Sequence, residues 1–229
     1  MRLLGKASVR GSSLHPPRFH RWLQEVVSNI GPRRWPLCAD GPTFHIFGDA
    51  SEPGDLEASP KCAGILCLGA EQPLRFFSVA VPTSFLQLLK ARKKQIGILE
   101  LLWPVLALLL WQPYLKGKHA IYFEDNEGAK YGLPKGFSKH WDINTVRALF
   151  WTGVSMSHSA PWFERIASED NPADTLTKPG MSVAHLCGAI DDSGMLLWDR
   201  VFDAIGECMV EQTLPTWQAA ASFYCARFQ

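Results

Sequence analysis

The chain has 229 residues, enough for one domain of ordinary size with an appendage, and its 47% apolar content can bury a real core. Charged residues make up 20%, too many apolar and too few charged positions for a disordered chain, and a net charge of +1 excludes a uniformly basic surface. Any affinity for nucleic acid must therefore come from local patches. The six cysteines (Cys38, Cys62, Cys67, Cys187, Cys208 and Cys225) form no CxxC pair. Spread this widely, they read as reduced, mostly buried thiols of an intracellular protein, nuclear or cytoplasmic, and not as a zinc site.

Residues 1–43 carry Gly, Ser, Pro and Arg around one amphipathic stretch, in which Trp22, Val26 and Ile30 recur at helical spacing before Gly31-Pro32 stops it. They read as a lead-in segment. The N-terminus is basic (Arg2, Lys6, Arg10) but lacks the apolar core of a secretory signal, and the scarcity of acidic residues before Glu25 leaves organelle import open. Residues 44–48 form a short strand that runs into Asp49. A polar insertion rich in turn formers follows, then a strand from Cys62 to Leu68 broken by Gly69, and a third from Leu74 to Val81 ended by Pro82. These three predict an antiparallel meander.

Residues 84–112 read as one helix or two helical pieces, with Ile96, Leu99, Trp103, Leu106 and Leu110 on one stripe and Glu100 beside it. The apolar run 101–111, interrupted by Pro104, is shorter than the about 20 residues a membrane span needs, so a buried helix and no membrane partner are expected. His119 to Phe123 is a fourth strand, with Asp125 just past its end. A short helix in NEGAKYGL and an amphipathic helix over 140–151 come next, then candidate strand segments at Val154 to Ser157 and Trp162 to Ala167. Asn171-Pro172 breaks the chain, and Ala173 to Thr177 begins a helical turn. Beyond 180, one amphipathic helix at about 195–210 shows Leu197, Val201, Ile205 and Met209.

The order β-β-β-α-β-α-β-α over 44–180 predicts an α/β domain with a mixed, five-stranded sheet flanked by helices. The crossover through 84–112 makes strand four parallel to strand one. That pairing brings the C-terminal ends of both strands together, and with them Asp49 and Asp125, at the place where open α/β sheets hold ligands.

Asp49, Glu100, Asp125 and Asp174 lie in four separate segments, each at the edge of an apolar run or beside turn formers. Converging carboxylates suit Mg²⁺, which takes hard oxygen ligands, and a pair of such ions serves phosphodiester cleavage. Each aspartate also has a plain alternative as a cap or turn residue, Asp174 above all because it follows Asn171-Pro172. Glu100 has less of one: flanked by Ile96, Ile98, Leu99, Leu101 and Leu102, its charge is costly unless paired or metal-bound.

The sequence FGDAS, then ILELLWPVLAL, then YFEDNEGAKYGLPKGFS, then NPADTLTK resembles, block by block, the ribonuclease H domain of retroelement reverse transcriptases. The resemblance covers about 44–180. It implies a ribonuclease H-like fold, with Asp49, Glu100, Asp125 and Asp174 as catalytic metal ligands for two Mg²⁺ (or Mn²⁺) ions. The implied activity is endonucleolytic cleavage of RNA in an RNA–DNA hybrid, leaving a 5′-phosphate. FHRWLQ in the lead-in is similar to the connection that joins such a domain to its polymerase, which makes a reverse transcriptase polymerase domain an implied partner. No Tyr-x-Asp-Asp turn is present, so the chain reads as a fragment of a larger polyprotein or a freed remnant.

The chain departs from the family pattern at several points. Trp103 and Pro104 follow Glu100 where small or aliphatic helix formers are usual, and Gly48 and Glu124 stand where a Thr often precedes each Asp. Pro104 is expected to kink the helix. Strand alternation points Glu124 away from Asp125, so it need not be a ligand. No histidine matches the mobile one of some members; Ser168 and Glu169 occupy that stretch, and Asp170 is the alternative fourth ligand. Arg92, Lys93 and Lys94 are candidate phosphate contacts, or else an ordinary solvated helix start. On the resemblance, Ser51 and Asn126 are candidate hybrid contacts, with a local turn hydrogen bond as the alternative. The departures also motivate a second reading, a catalytically inactive ribonuclease H-like module that binds nucleic acid or another partner. A DNA-cutting integrase fits less well, because there the Glu comes last.

Overall fold

The computed structural model describes residues 42–52, 59–135, 138–178, 183–196 and 217–225, with isolated positions between 24 and 29 and between 198 and 215. Trp22, Val26, Ile30 and most of the lead-in lie outside the described residues, as do Leu197 and Ile205.

The architecture is α/β, built on a six-stranded mixed sheet of order β5-β4-β1-β2-β3-β6. Strands β1 (Phe44–Ser51), β2 (Lys61–Cys67) and β3 (Arg75–Ala80) form the expected antiparallel meander. β4 (His119–Glu124) runs parallel to β1, with Phe47 opposite Phe123, and β5 (Ala160–Arg165) is parallel to β4. Continuing that register, Asp49 and Asp125 leave neighbouring strand ends on the same side.

Alternation sorts the two faces. Phe44, Ile46, Gly48 and Ala50 of β1, and Ala120, Tyr122 and Glu124 of β4, are all buried at every second position. That face carries the main core. Helix α1 (Thr83–Leu88) is separate from α2 (Ile96–Leu115), so the region expected as one helix or two is two pieces. Sixteen α2 residues are buried, from Ile98 through Leu115, because α2 packs on β1, β2 and β4 beneath helix α4 (Trp141–Ser157). A helix apolar all round belongs in a core of this kind. At 20 residues α2 also has the length and composition to cross a membrane, so the shortness of the apolar run does not decide the matter; burial of 83% of its apolar window by the rest of the fold does.

Helix α2 continues through Pro104 and Pro113. Its start is fixed by Glu52, just past β1, whose carboxylate accepts the Gln95 N–H at 2.9 Å and the Ile96 N–H at 3.1 Å. An anion at a helix N-terminus satisfies free donors and complements the dipole.

Two expectations are corrected. Val154–Ser157 is not a strand but the last turn of α4, which ends at His158 in a left-handed conformation (φ 53°). The apolar stripe of α4 simply continues through Val154, buried beside Tyr224 and Phe150. The sheet has six strands rather than five because residues beyond 180 add β6 (Ile190–Asp191), parallel to β3. Asp192 then accepts both guanidinium arms of Arg75, at 2.6 and 2.8 Å, and the Trp111 indole N–H at 2.8 Å. Helix α6 (Trp217–Cys225) lies against α4, where Tyr224 donates to the Leu149 carbonyl at 3.0 Å and fills the space above Gly153. Val201 and Met209, at helical positions, are buried in the same core. Packing is therefore continuous across position 180.

The other sheet face is covered by a smaller cluster of Ile65, Ala173 and Leu186, with Phe47, Leu74, Phe76 and Leu176 against it. The turn 171–177 is thus pinned to the sheet by apolar burial, next to the end of β1.

Candidate metal centre at the end of the sheet

Five carboxylates converge where β1 and β4 end. Oxygens of Asp49, Asp125 and Asp174 lie within 4.8 Å of one another, and so do oxygens of Glu100, Glu124 and Asp125. Asp125 belongs to both groups. Asp49 comes from the sheet face opposite α2, and Asp174 from the first turn of α5 (Asp174–Thr177). Glu100 and Glu124 approach from the helical side. Asp125, just past β4, joins the two sides.

Local chemistry explains each placement. Asn171 donates its side-chain N–H to the Gly48 carbonyl at 2.9 Å, and its oxygen accepts the Ala173 N–H at 3.2 Å. One buried amide thus holds the Asn-Pro-Ala-Asp turn against the strand residue preceding Asp49. The Thr177 hydroxyl donates to Asp49 Oδ2, and the Ser78 hydroxyl to the Leu176 carbonyl at 2.9 Å. Ser168, in a 3-10 turn, donates to Asp125 Oδ2 at 2.8 Å. Glu100 accepts the Ala50 backbone N–H.

Gly48 and Trp103 are complementary in size. A Cβ on residue 48 would sit 2.1 Å from the Trp103 ring. The large residue on α2 is admitted by the missing side chain on β1, so the two residues form one packing unit beside the acidic cluster.

The electrostatics are those of a site short of positive charge. Burial is the main reason that Glu100 is pushed up to about 9, the Asp49 and Asp125 charges adding to it against the Ala50 hydrogen bond. Burial likewise raises Asp49 to about 6, opposed by Thr177 and reinforced by Asp174 and Asp125. Glu124 is raised well above the carboxylate range by burial, then by Glu100, Asp125 and Asp49. Glu100 Oε2, Asp174 Oδ1 and both Glu124 oxygens are buried without a hydrogen-bond partner. The one cation of the cluster, among the described residues, is Lys178, paired with Asp174 and half exposed.

The four sequence-predicted carboxylates are therefore brought together. Asp170, the alternative fourth ligand, is exposed and belongs to neither group. Alternation points Glu124 away from Asp125, yet at the strand end one oxygen of each lies within 4.8 Å of the other and of a Glu100 oxygen, so Glu124 belongs to the cluster. The signal was present in the sequence: an acidic residue at the inward register of Ala120 and Tyr122. His185, remote in sequence, also lines the open recess of about 480 Å³ formed with Asp174, Thr175 and Lys178. No local pattern announces it.

The proposed nucleic-acid contacts divide. Lys93 and Lys94 are exposed ahead of α2. Arg92 is instead committed to Asp142, with two guanidinium bonds of 2.6 Å. Asn126 makes the local bond of the alternative reading, its side chain accepting the Ala129 N–H at 3.2 Å at the start of α3 (Glu127–Gly132). Ser51 ends β1 opposite Lys61. Cys62 is buried, Cys67 half-buried and Cys187 exposed, so burial is not the common property of the thiols.

The donor set suits hard divalent ions. It is all oxygen, carries an excess of negative charge, and has buried lone pairs left over. A scan against protein-family models finds no match, and a search of curated proteins finds none either.

Proposed function

We propose that the chain has a ribonuclease H-like fold and acts as a two-metal endonuclease that cleaves the RNA strand of RNA–DNA hybrids, of the kind associated with retroelement reverse transcriptases. The observation that carries the reading is the convergence of Asp49, Glu100, Asp125 and Asp174 from four separated segments onto one end of the sheet, with buried oxygens lacking partners. The antiparallel meander followed by parallel β4 and β5 is consistent with that fold.

Asp49, Asp125 and Asp174 would hold one ion, and Glu100 with Asp125 a second. Ions held there would supply a water of lowered pKa and neutralise charge on the leaving 3′-oxygen. The protein's own part is orientation. Thr177 and Asn171 fix Asp49 and its strand, and Glu52 fixes the start of the helix bearing Glu100. The open recess beside Asp174, which His185 also lines, admits a nucleic-acid backbone. Lys93 and Lys94 would contribute sequence-independent phosphate contacts.

The test is cleavage of an RNA–DNA hybrid by the purified chain in Mg²⁺ or Mn²⁺. Internal nicks in the RNA with 5′-phosphates are expected, and Asp49→Asn or Asp125→Asn should reduce the rate at least about 10²-fold with unchanged circular dichroism. A folded chain that binds Mn²⁺ and hybrid yet leaves the RNA intact would support the inactive binding module instead.

A further inference from the structure

Glu124 is not among the four carboxylates of the nuclease reading, yet it is the most completely buried of the five, at 0% exposure. Neither of its oxygens makes a hydrogen bond of ordinary geometry; the Trp103 indole N–H, itself otherwise unpartnered, is the neighbouring donor and offsets only a small part of the burial. One of those oxygens lies within 4.8 Å of oxygens of Glu100 and Asp125. A charged group so enclosed needs a counterion.

Building on the reading that this cluster holds divalent ions, we propose that Glu124 is a fifth ligand. It closes an inner cation site of Glu100, Glu124 and Asp125, beside an outer site of Asp49, Asp125 and Asp174. The inner site selects Mn²⁺ over Mg²⁺. Mg²⁺ gives up its waters reluctantly, so it suits the outer site, which opens on the recess and leaves room for them. The inner site is enclosed, with Glu124 and Glu100 buried, which favours an oxygen-seeking ion that dehydrates more readily. Trp103 and Gly48 give the enclosure its form: the indole ring occupies the space over Gly48, next to the strand position that carries Glu124.

The experiment is Mn²⁺ binding to the full chain without nucleic acid, by calorimetry and by the paramagnetic resonance of free Mn²⁺. The wild-type chain should bind two Mn²⁺, of which Mg²⁺ displaces one readily and the other poorly. Glu124→Gln, which keeps the shape, should weaken the Mg²⁺-resistant ion at least about tenfold and leave the displaceable one. Asp174→Asn should do the opposite. An isotherm for Glu124→Gln that overlays the wild type overturns the proposal. If Glu124→Gln fails to fold, the wild-type melting temperature decides: a larger rise with Mn²⁺ than with Mg²⁺ at equal site occupancy of the outer ion supports the inner site, and equal rises overturn it. A chain that binds both ions as described but never cuts hybrids refutes the nuclease reading alone. Cleavage that persists with an unchanged Glu124→Gln isotherm refutes this inference alone.

Discussion

Buried carboxylates occur in two settings in this protein, and they differ in how they are partnered. Asp142 and Asp192, 0% and 1% exposed, are satisfied. Burial pushes Asp142 up, but Arg92 and the Lys90 and Ile143 backbone N–H groups more than offset it and hold the group below the usual range. Asp192 has Arg75 and Trp111. Glu100 and Glu124 are buried to the same depth, yet have each other and two or three more acids as surroundings. The first pair are joints, holding the residue 90–95 linker to α4 and the C-terminal segment to β3. The second pair lie where the fold leaves charge uncompensated. Burial alone does not separate a joint from a site; the presence or absence of a cationic partner does.

The sharpest way to break this comparison is pH. Glu100 and Asp49 have folded pKa values of about 9 and about 6 against ordinary values of 4.5 and 3.8. The folded state therefore binds more protons than the unfolded one, and the metal-free chain should lose stability as pH rises from about 4 to about 9. The expected loss is on the order of 8 kcal/mol, read by urea unfolding across that range. Divalent ions should reverse it, and a flat profile would mean that the cluster is not under electrostatic stress.

Next in size is an amide swap made in both regions. Asp192→Asn leaves the Arg75 charge without its partner and should cost about 3–5 kcal/mol. Glu100→Gln, by contrast, should leave metal-free stability at pH 7 unchanged or higher while removing most of the pH slope. Equal losses in the two variants would erase the distinction.

Much of this was legible in the sequence because it is local. The meander follows from turn formers between short apolar runs, α2 from its stripe, and the parallel β1–β4 pair from the single crossover. The four carboxylates stood out through their order and flanks. What was hidden depends on contacts between distant segments. β6 is two residues long and shows no alternation of its own; it exists because Leu74, Phe76 and Asp192 offer partners. Arg92 looked like part of a free basic run because Asp142, fifty residues on, is invisible from it. Glu124 was legible as an inward residue, but its neighbour Glu100 belongs to another element. Val154–Ser157 was too short a window to distinguish the end of a helix from a strand.

Smaller effects refine the site's surroundings. Gly48→Ala should cost about 1–3 kcal/mol by overlap with the Trp103 ring. Adding Trp103→Leu should recover part of that loss, and the double-mutant cycle from thermal melts should show the coupling. Lys93→Ala and Lys94→Ala should be the mildest, leaving stability unchanged. Each should lower the salt dependence of hybrid binding by about one unit of slope.

Helix α2 has a consequence for how the chain is made. Residues 96–115 leave the ribosome before the segments that cover them, α4 at 141–157 and α6 at 217–225. For that interval a nascent chain presents a twenty-residue greasy rod that the translocation machinery and holdase chaperones are built to bind. Recovery after dilution from denaturant should therefore drop steeply with protein concentration, and coexpression with such chaperones should raise the soluble yield.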